Sequence, residues 1–161
     1  MSFEITTLSA GGGALGICPC PGKFGQYAQD FDQIREWQPS LVLSMTETQE
    51  FTRVGADTFP QDLSNAGIDW RHLPIVDFGA PNAAIVAKWL EVSPYAKKTL
   101  SDGGRVLVHC MGGCGRSGMV LLRLMVELGE SPEIALKRLR AVRPCAVETE
   151  GQYAWASEVW G

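Results

Sequence analysis

What the chain lacks narrows it first. Its 161 residues contain no apolar run long enough to cross a bilayer, so membrane insertion is not expected. Lysine and arginine form no cluster and the net charge is −4, which argues against nucleic acid and anionic lipid as partners. Histidine occurs only twice and no cysteines have Cys-x-x-Cys spacing. Cys18 with Cys20, or His109 with Cys110 and Cys114, come nearest to a ligand set, and neither fits zinc; no metal and no other cofactor is expected. Five cysteines, odd in number and scattered, argue against a disulfide framework and suit a reducing compartment. Residues 1–8 carry neither a basic leader nor a continuous apolar core, so the expected location is cytoplasmic. Without an internal repeat, low-complexity tract or linker, residues 1–161 are expected to form a single domain.

What is present centres on the stretch from Arg105 to Glu127. Val106, Leu107 and Val108 are an apolar run without alternation, as in a strand covered on both faces, and a glycine-rich turn then feeds a long apolar helix. Five residues separate Cys110 from Arg116, and three of them are glycine (Gly112, Gly113, Gly115). Such a turn can curl tightly and aim successive N–H groups of Met111, Gly112, Gly113, Cys114, Gly115 and Arg116 at one point, and a ring of donors at a helix N-terminus binds an oxyanion. Cys110 lies at the floor of that ring, where amide dipoles, the helix N-terminus and the Arg116 guanidinium favour thiolate over thiol. Arg116 can hold two oxygens of a phosphoryl group with its planar fork, and the Ser117 hydroxyl can donate to the sulfur when it leaves.

Around this unit the chain reads as alternating strands and helices. Phe3–Thr7 and Leu15–Cys18 are short β-prone runs about Gly11, Gly12 and Gly13, suggesting an opening hairpin. Tyr27, Phe31, Ile34 and Trp37 hold a helical stripe until Pro39. Leu41 to Leu43 is a second buried strand, residues 46–51 open a short helix, and another helix covers Phe59 to Asn65. Ile68 to Val76 reads as a strand delivering Asp77 at its C-terminal end, where open α/β sheets bind ligands. The next helix starts at Pro81, with Pro94 expected to kink or split it. Ser131 and Pro132 cap a helix whose Ala135, Leu136, Leu139 and Val142 face the core, and a last helix runs from Thr149 to Trp160.

Asp77, 33 residues before Cys110, is the candidate general acid: phosphate ester cleavage strands charge on the departing oxygen, which a carboxyl can protonate before activating water as carboxylate. The run His109-Cys110-x-x-Gly113-x-x-Arg116-Ser117-Gly118 resembles the active-site motif of cysteine-dependent protein tyrosine and dual-specificity phosphatases, most closely their kinase-associated members. The likeness extends over residues 16–24, 74–77 and 146–153. It implies an α/β fold with a central, mainly parallel sheet of four or five strands and helices on both faces. It also implies Cys110 as nucleophile, Arg116 as phosphate clamp and Asp77 as acid, with His109 orienting the loop. A phosphorylated protein would be the substrate, hydrolysed at phosphotyrosine, or at phosphoserine and phosphothreonine, through a phosphocysteine intermediate. Where the family commonly has Gln-Thr, this chain has Glu148-Thr149, so either the water-positioning role has changed or Gln152 carries it. Two other readings stay open: a rhodanese-like sulfurtransferase, and a phosphoprotein-binding module with weak turnover. Cys114, in the same loop as Cys110, is also a candidate redox partner for it.

Overall fold

A computed structural model describes residues 2–158. Two strands open the chain, β1 (Thr6–Ala10) and β2 (Gly13–Cys18), an antiparallel hairpin about Gly11 and Gly12, both at positive φ. Helix α1 (Tyr27–Trp37) leads to β3 (Leu41–Ser44). Short helices α2 (Thr48–Arg53) and α3 (Phe59–Asn65) precede β4 (Asp69–His72). Then follow α4 (Ala83–Ser101), β5 (Arg105–His109), α5 (Gly115–Glu127), α6 (Pro132–Val142) and α7 (Glu150–Ser157). The sheet runs β1-β2-β5-β3-β4, and every pair after the hairpin is parallel. This is the expected mainly parallel sheet with helices on both faces. Among the described residues no helix is long and apolar enough to cross a membrane.

Strand periodicity sorts the core into two layers. Leu41 and Leu43 of β3, with Val106 and Val108 of β5, face the layer built with α4, α5, α6 and α7. Val42 and Leu107 turn the other way, onto Ile34, Phe51, Phe59 and Leu63 of α1, α2 and α3. Helix α5 is buried around nearly its whole circumference, and the arginines of its polar stripe, Arg116 and Arg123, are covered and hydrogen-bonded by neighbouring elements. Its C-terminal Glu127 accepts hydrogen bonds from Trp89 Nε1 (2.8 Å), Ser93 Oγ and Arg123 Nε (2.7 Å), and pairs with Lys97 at 3.1 Å. These bonds hold its carboxyl below the usual range despite burial.

Several sequence expectations shift. The first strand lies three residues later than Phe3–Thr7. The fourth ends at His72 rather than Val76, although Leu73 and Ile75 still donate to Ser44 and Met45 carbonyls (2.9 and 3.1 Å). Pro74 between them has no N–H to give, which ends the regular ladder. Helix α4 begins at Ala83, where Asn82 caps it by accepting from Ile85 N, and it runs through Pro94 unbroken. The carbonyl deprived of its partner belongs to Leu90, 68 % exposed, on the helix's outer side. Val142 is 45 % exposed rather than core, because α6 ends there and the chain turns back. The expected helix end at Trp160 lies outside the described residues.

Gly16 on β2 sits under the Trp37 ring: a Cβ there would lie 2.7 Å from it. Gly16→Val should therefore lower unfolding free energy by about 2 kcal/mol or more, read from urea denaturation. A loss below about 0.5 kcal/mol would show that Trp37 moves aside freely.

Candidate active site

The turn between β5 and α5 is held from outside, one carbonyl at a time. His109 Nδ1 donates to the Cys110 carbonyl (3.0 Å) and Cys20 N to that of Met111 (3.0 Å). Arg143 reaches Gly113 with Nε (2.9 Å) and Gly112 with Nη2 (3.4 Å), while Cys114 accepts from both Gly118 N and Val147 N (3.0 and 3.1 Å). With all five carbonyls turned outward, the N–H groups of Met111 to Arg116 are left without a protein acceptor among the described residues. Gly113 makes the curl feasible: its φ is +70°, and a Cβ would meet Cys18 backbone at 2.6 Å. Cys110 lies at the base, 3 % exposed, with Ser117 Oγ 3.1 Å from its sulfur.

Arg116 is 1 % exposed and engaged from behind. Its Nη1 and Nη2 each donate to Glu50 at 2.8 Å, and Nη1 also donates to the Ile75 carbonyl at 2.8 Å. Burial pushes the Glu50 carboxyl up, but the Arg116 hydrogen bonds and the Glu47 N–H outweigh it, so Glu50 stays below its ordinary range. Arg116 moves the other way: burial lowers it and Glu50 more than restores it. The Nε of Arg116 is buried without a partner, a donor left for a group that enters the site. Asp77 Oδ1 stands 3.4 Å from Arg116 Nη2 and accepts the Phe78 N–H, on a loop where Asp77 is 56 % and Phe78 61 % exposed. Asp77 and Cys110 border a cleft of about 680 Å³, whose walls also include Lys23, Phe24, Phe78, Arg143 and Glu148.

His109 is fully buried. Because Nδ1 donates to the Cys110 carbonyl, Nε2 accepts from the Ser44 hydroxyl (2.6 Å), which in turn accepts Trp70 Nε1–H (2.8 Å). Glu148 borders the cleft at the loop itself, since a Cβ on Gly115 would lie 2.2 Å from Glu148 Oε1. Gln152 does not line the cleft. Its Oε1 accepts from Glu148 N and Thr149 N (2.8 and 3.3 Å), its Nε2 donates to the Gly79 carbonyl (3.2 Å), and it is wholly buried, a strut between α7 and the Asp77 loop.

Two features escaped the sequence. Nothing local marks Glu50 or Arg143 as neighbours of the loop; at most, the reciprocal capping of Glu47 and Glu50 could have fixed the orientation of α2. The cysteine reading needs correction. Cys114 is bonded to Cys145, with Cα atoms 5.1 Å apart, and so is not the partner of Cys110. The bridge joins residues 31 apart that meet only because α6 returns the chain to the loop. Cys18, Cys20 and Cys110 are free.

An anion-binding turn with a cysteine at its floor, an arginine opening the next helix and an aspartate across the cleft defines the cysteine-dependent protein phosphatases. Residues 19–130 match the family described as "Polymorphic toxin system, DSP-PTPase phosphatase". The chain belongs to that dual-specificity and tyrosine phosphatase family. It is 28% identical over 152 residues to human cyclin-dependent kinase inhibitor 3, covering 89% of this chain and 70% of the relative. The crystal structure of kinase associated phosphatase, with its catalytic cysteine replaced by serine, superposes with TM-score 0.85 at 26% identity, over 99% of this chain and 94% of that one. Tk-PTP in its active form gives TM-score 0.68 at 31% identity, over 86% and 85%. The sulfurtransferase alternative is thereby set aside.

Burial holds His109 down at about 4 against an ordinary 6.5, despite the opposing bond to Cys110. Between those values the unfolded chain takes up a proton that the folded one refuses. This contribution to stability is therefore complete above about pH 6.5 and lost as pH falls toward 4. From pH 7.5 to 4.5 wild type should lose about 2–3 kcal/mol more than His109→Asn, measured by urea unfolding. Equal losses would mean that His109 is not kept neutral.

Proposed function

We propose that this phosphatase acts through Cys110 as nucleophile, on phosphotyrosine in a protein and, within the same cleft, on phosphoserine and phosphothreonine. The carrying observation is the ring of unpartnered N–H groups from Met111 to Arg116 centred on the cysteine. A phosphoryl group seated there meets those amides and the spare Nε of Arg116 while Cys110 attacks in line. As the sulfur–phosphorus bond forms and the ester bond breaks, the Asp77 carboxyl gives its proton to the departing oxygen. The carboxylate then takes a proton from water, whose oxygen attacks phosphorus. Cys110 leaves with a hydrogen bond from Ser117, 3.1 Å away, and inorganic phosphate is released.

Phe24 and Phe78 in the cleft walls suit an aryl phosphate. The loop contains no lysine, which favours a phosphoprotein over a phosphoinositide headgroup. The likeness to kinase associated phosphatase makes a phosphorylated kinase the first protein to try. The reading needs no metal or cofactor, treats the chain as one catalytic domain and keeps it in the cytoplasm, where the free thiols survive.

The test is turnover of aryl and alkyl phosphates by two variants. Cys110→Ser should fall below about one hundredth of wild-type turnover and still bind an oxyanion. Asp77→Asn should slow alkyl phosphates more than aryl phosphates with good leaving groups. Retained turnover in the first, or equal losses in the second, would remove that residue from its role.

Glu148 sets a separate expectation. A carboxylate against Gly115 repels a phosphate dianion in a partly water-excluded site. Glu148→Gln should raise kcat/KM by about threefold at neutral pH. Unchanged kinetics would leave Glu148 a solvated helix-start residue.

A further inference from the structure

The segment between α6 and α7 grips the loop by two kinds of bond. Arg143 and Val147 hold the carbonyls of Gly112, Gly113 and Cys114 by hydrogen bonds, and Cys145 holds Cys114 covalently. Hydrogen bonds to buried carbonyls are fixed by the fold; a disulfide answers to thiols around it. We propose that Cys114–Cys145 is a redox-exchangeable couple that sets the oxyanion affinity of the loop, tight when bridged and weaker once a dithiol has reduced it.

Three observations carry this. Cys114 lies between Gly113 and Gly115, where the backbone has the least stiffness of its own, so a tether at that residue restricts the donors on either side. Apart from Cys110 at the floor of the cleft, the couple is also the reachable sulfur. Cys145 is exposed, Cys114 is partly exposed and both border the cleft, whereas Cys18 and Cys20 are fully buried. Burial, and next the Glu50 carboxylate, push the Cys20 thiol up to about 12, and burial raises Cys18 as well, so neither competes as a thiolate. Finally, the Arg143 and Val147 bonds do not run through either sulfur, so reduction is expected to loosen the loop without dismantling it.

The exchange balances with a dithiol as the named reductant. Its thiolate attacks Cys145 Sγ, the bond to Cys114 breaks, and Cys114 leaves as thiolate and takes a proton. The second thiol of the reductant, giving up its proton, displaces Cys145 and closes the reductant into its own disulfide. Two electrons and two protons pass to the protein.

The proposal rests on the phosphatase reading, and its test separates the two. The full chain, prepared without reductant, is compared with the same protein treated with dithiothreitol and desalted under argon. Maleimide labelling and intact mass count the thiols, calorimetry gives Kd for tungstate, and an aryl phosphate gives KM and kcat. Reduction should free two further thiols, weaken tungstate about fivefold, roughly 1 kcal/mol, and raise KM more than kcat changes. Cys145→Ser, altered at an exposed position outside the loop, should show the weaker Kd with or without dithiothreitol. Absence of the bridge in air-oxidised protein, or one Kd for both states, overturns the inference while turnover leaves the phosphatase reading standing. Tungstate bound by neither state, with no turnover, overturns both.

Discussion

The buried pair of Arg116 and Glu50 is the joint on which the site turns. One guanidinium ties α5 to α2 through Glu50 and to the approach of the Asp77 loop through the Ile75 carbonyl. An ion pair so dry earns little net stability, because desolvating two charges consumes most of their attraction. What it supplies is orientation. A lone Arg116 charge in that interior would be untenable, and a lone Glu50 equally so; breaking such a pair costs about 3–5 kcal/mol. Each partner therefore fixes the other's rotamer, and Nε keeps one heading before any ligand arrives.

Around that joint the turn between β5 and α5 is an inverted backbone. Peptide groups ordinarily satisfy donor and acceptor together, but here the acceptors are taken by two chain neighbours, His109 and Gly118, and by two distant segments, Cys20 and the stretch from Arg143 to Val147, and the donors are withheld. His109 extends this control across the sheet. Through Ser44 it joins the Cys110 carbonyl to Trp70 on the edge strand, so the floor of the site and the outer strand share one hydrogen-bond chain. Gly118 permits the other wall, since any side chain there would strike Ala146 and the Val147 amide.

What could be read from the chain in advance was local. The apolar triplets of β3 and β5, the glycine-rich turn and the stripe of α1 each carry their own signal, and each appears where the residues put it. The turn after β5 was legible because its cysteine, glycines and arginine fall within seven consecutive residues, 110–116. Glu50, Arg143 and Cys145 were not, because they reach the loop only through tertiary packing, and a single sequence says nothing of which helix returns to which turn. Pro94 shows the opposite error: a local rule against proline gave way because the orphaned carbonyl sits on the exposed side of α4.

Helix α5 is fastened at both ends, by Arg116 to Glu50 at the start and by Glu127 to Trp89, Ser93 and Lys97 at the finish. The two fastenings are 11 residues apart, and each residue of helix turns the axis by about 100°. The length between them is thus a phase as much as a distance. Side chains along it can be exchanged for others of like volume, but one residue added or removed would swing the guanidinium a quarter turn from Glu50. The helix therefore tolerates exchange of its side chains far better than any change in its residue count.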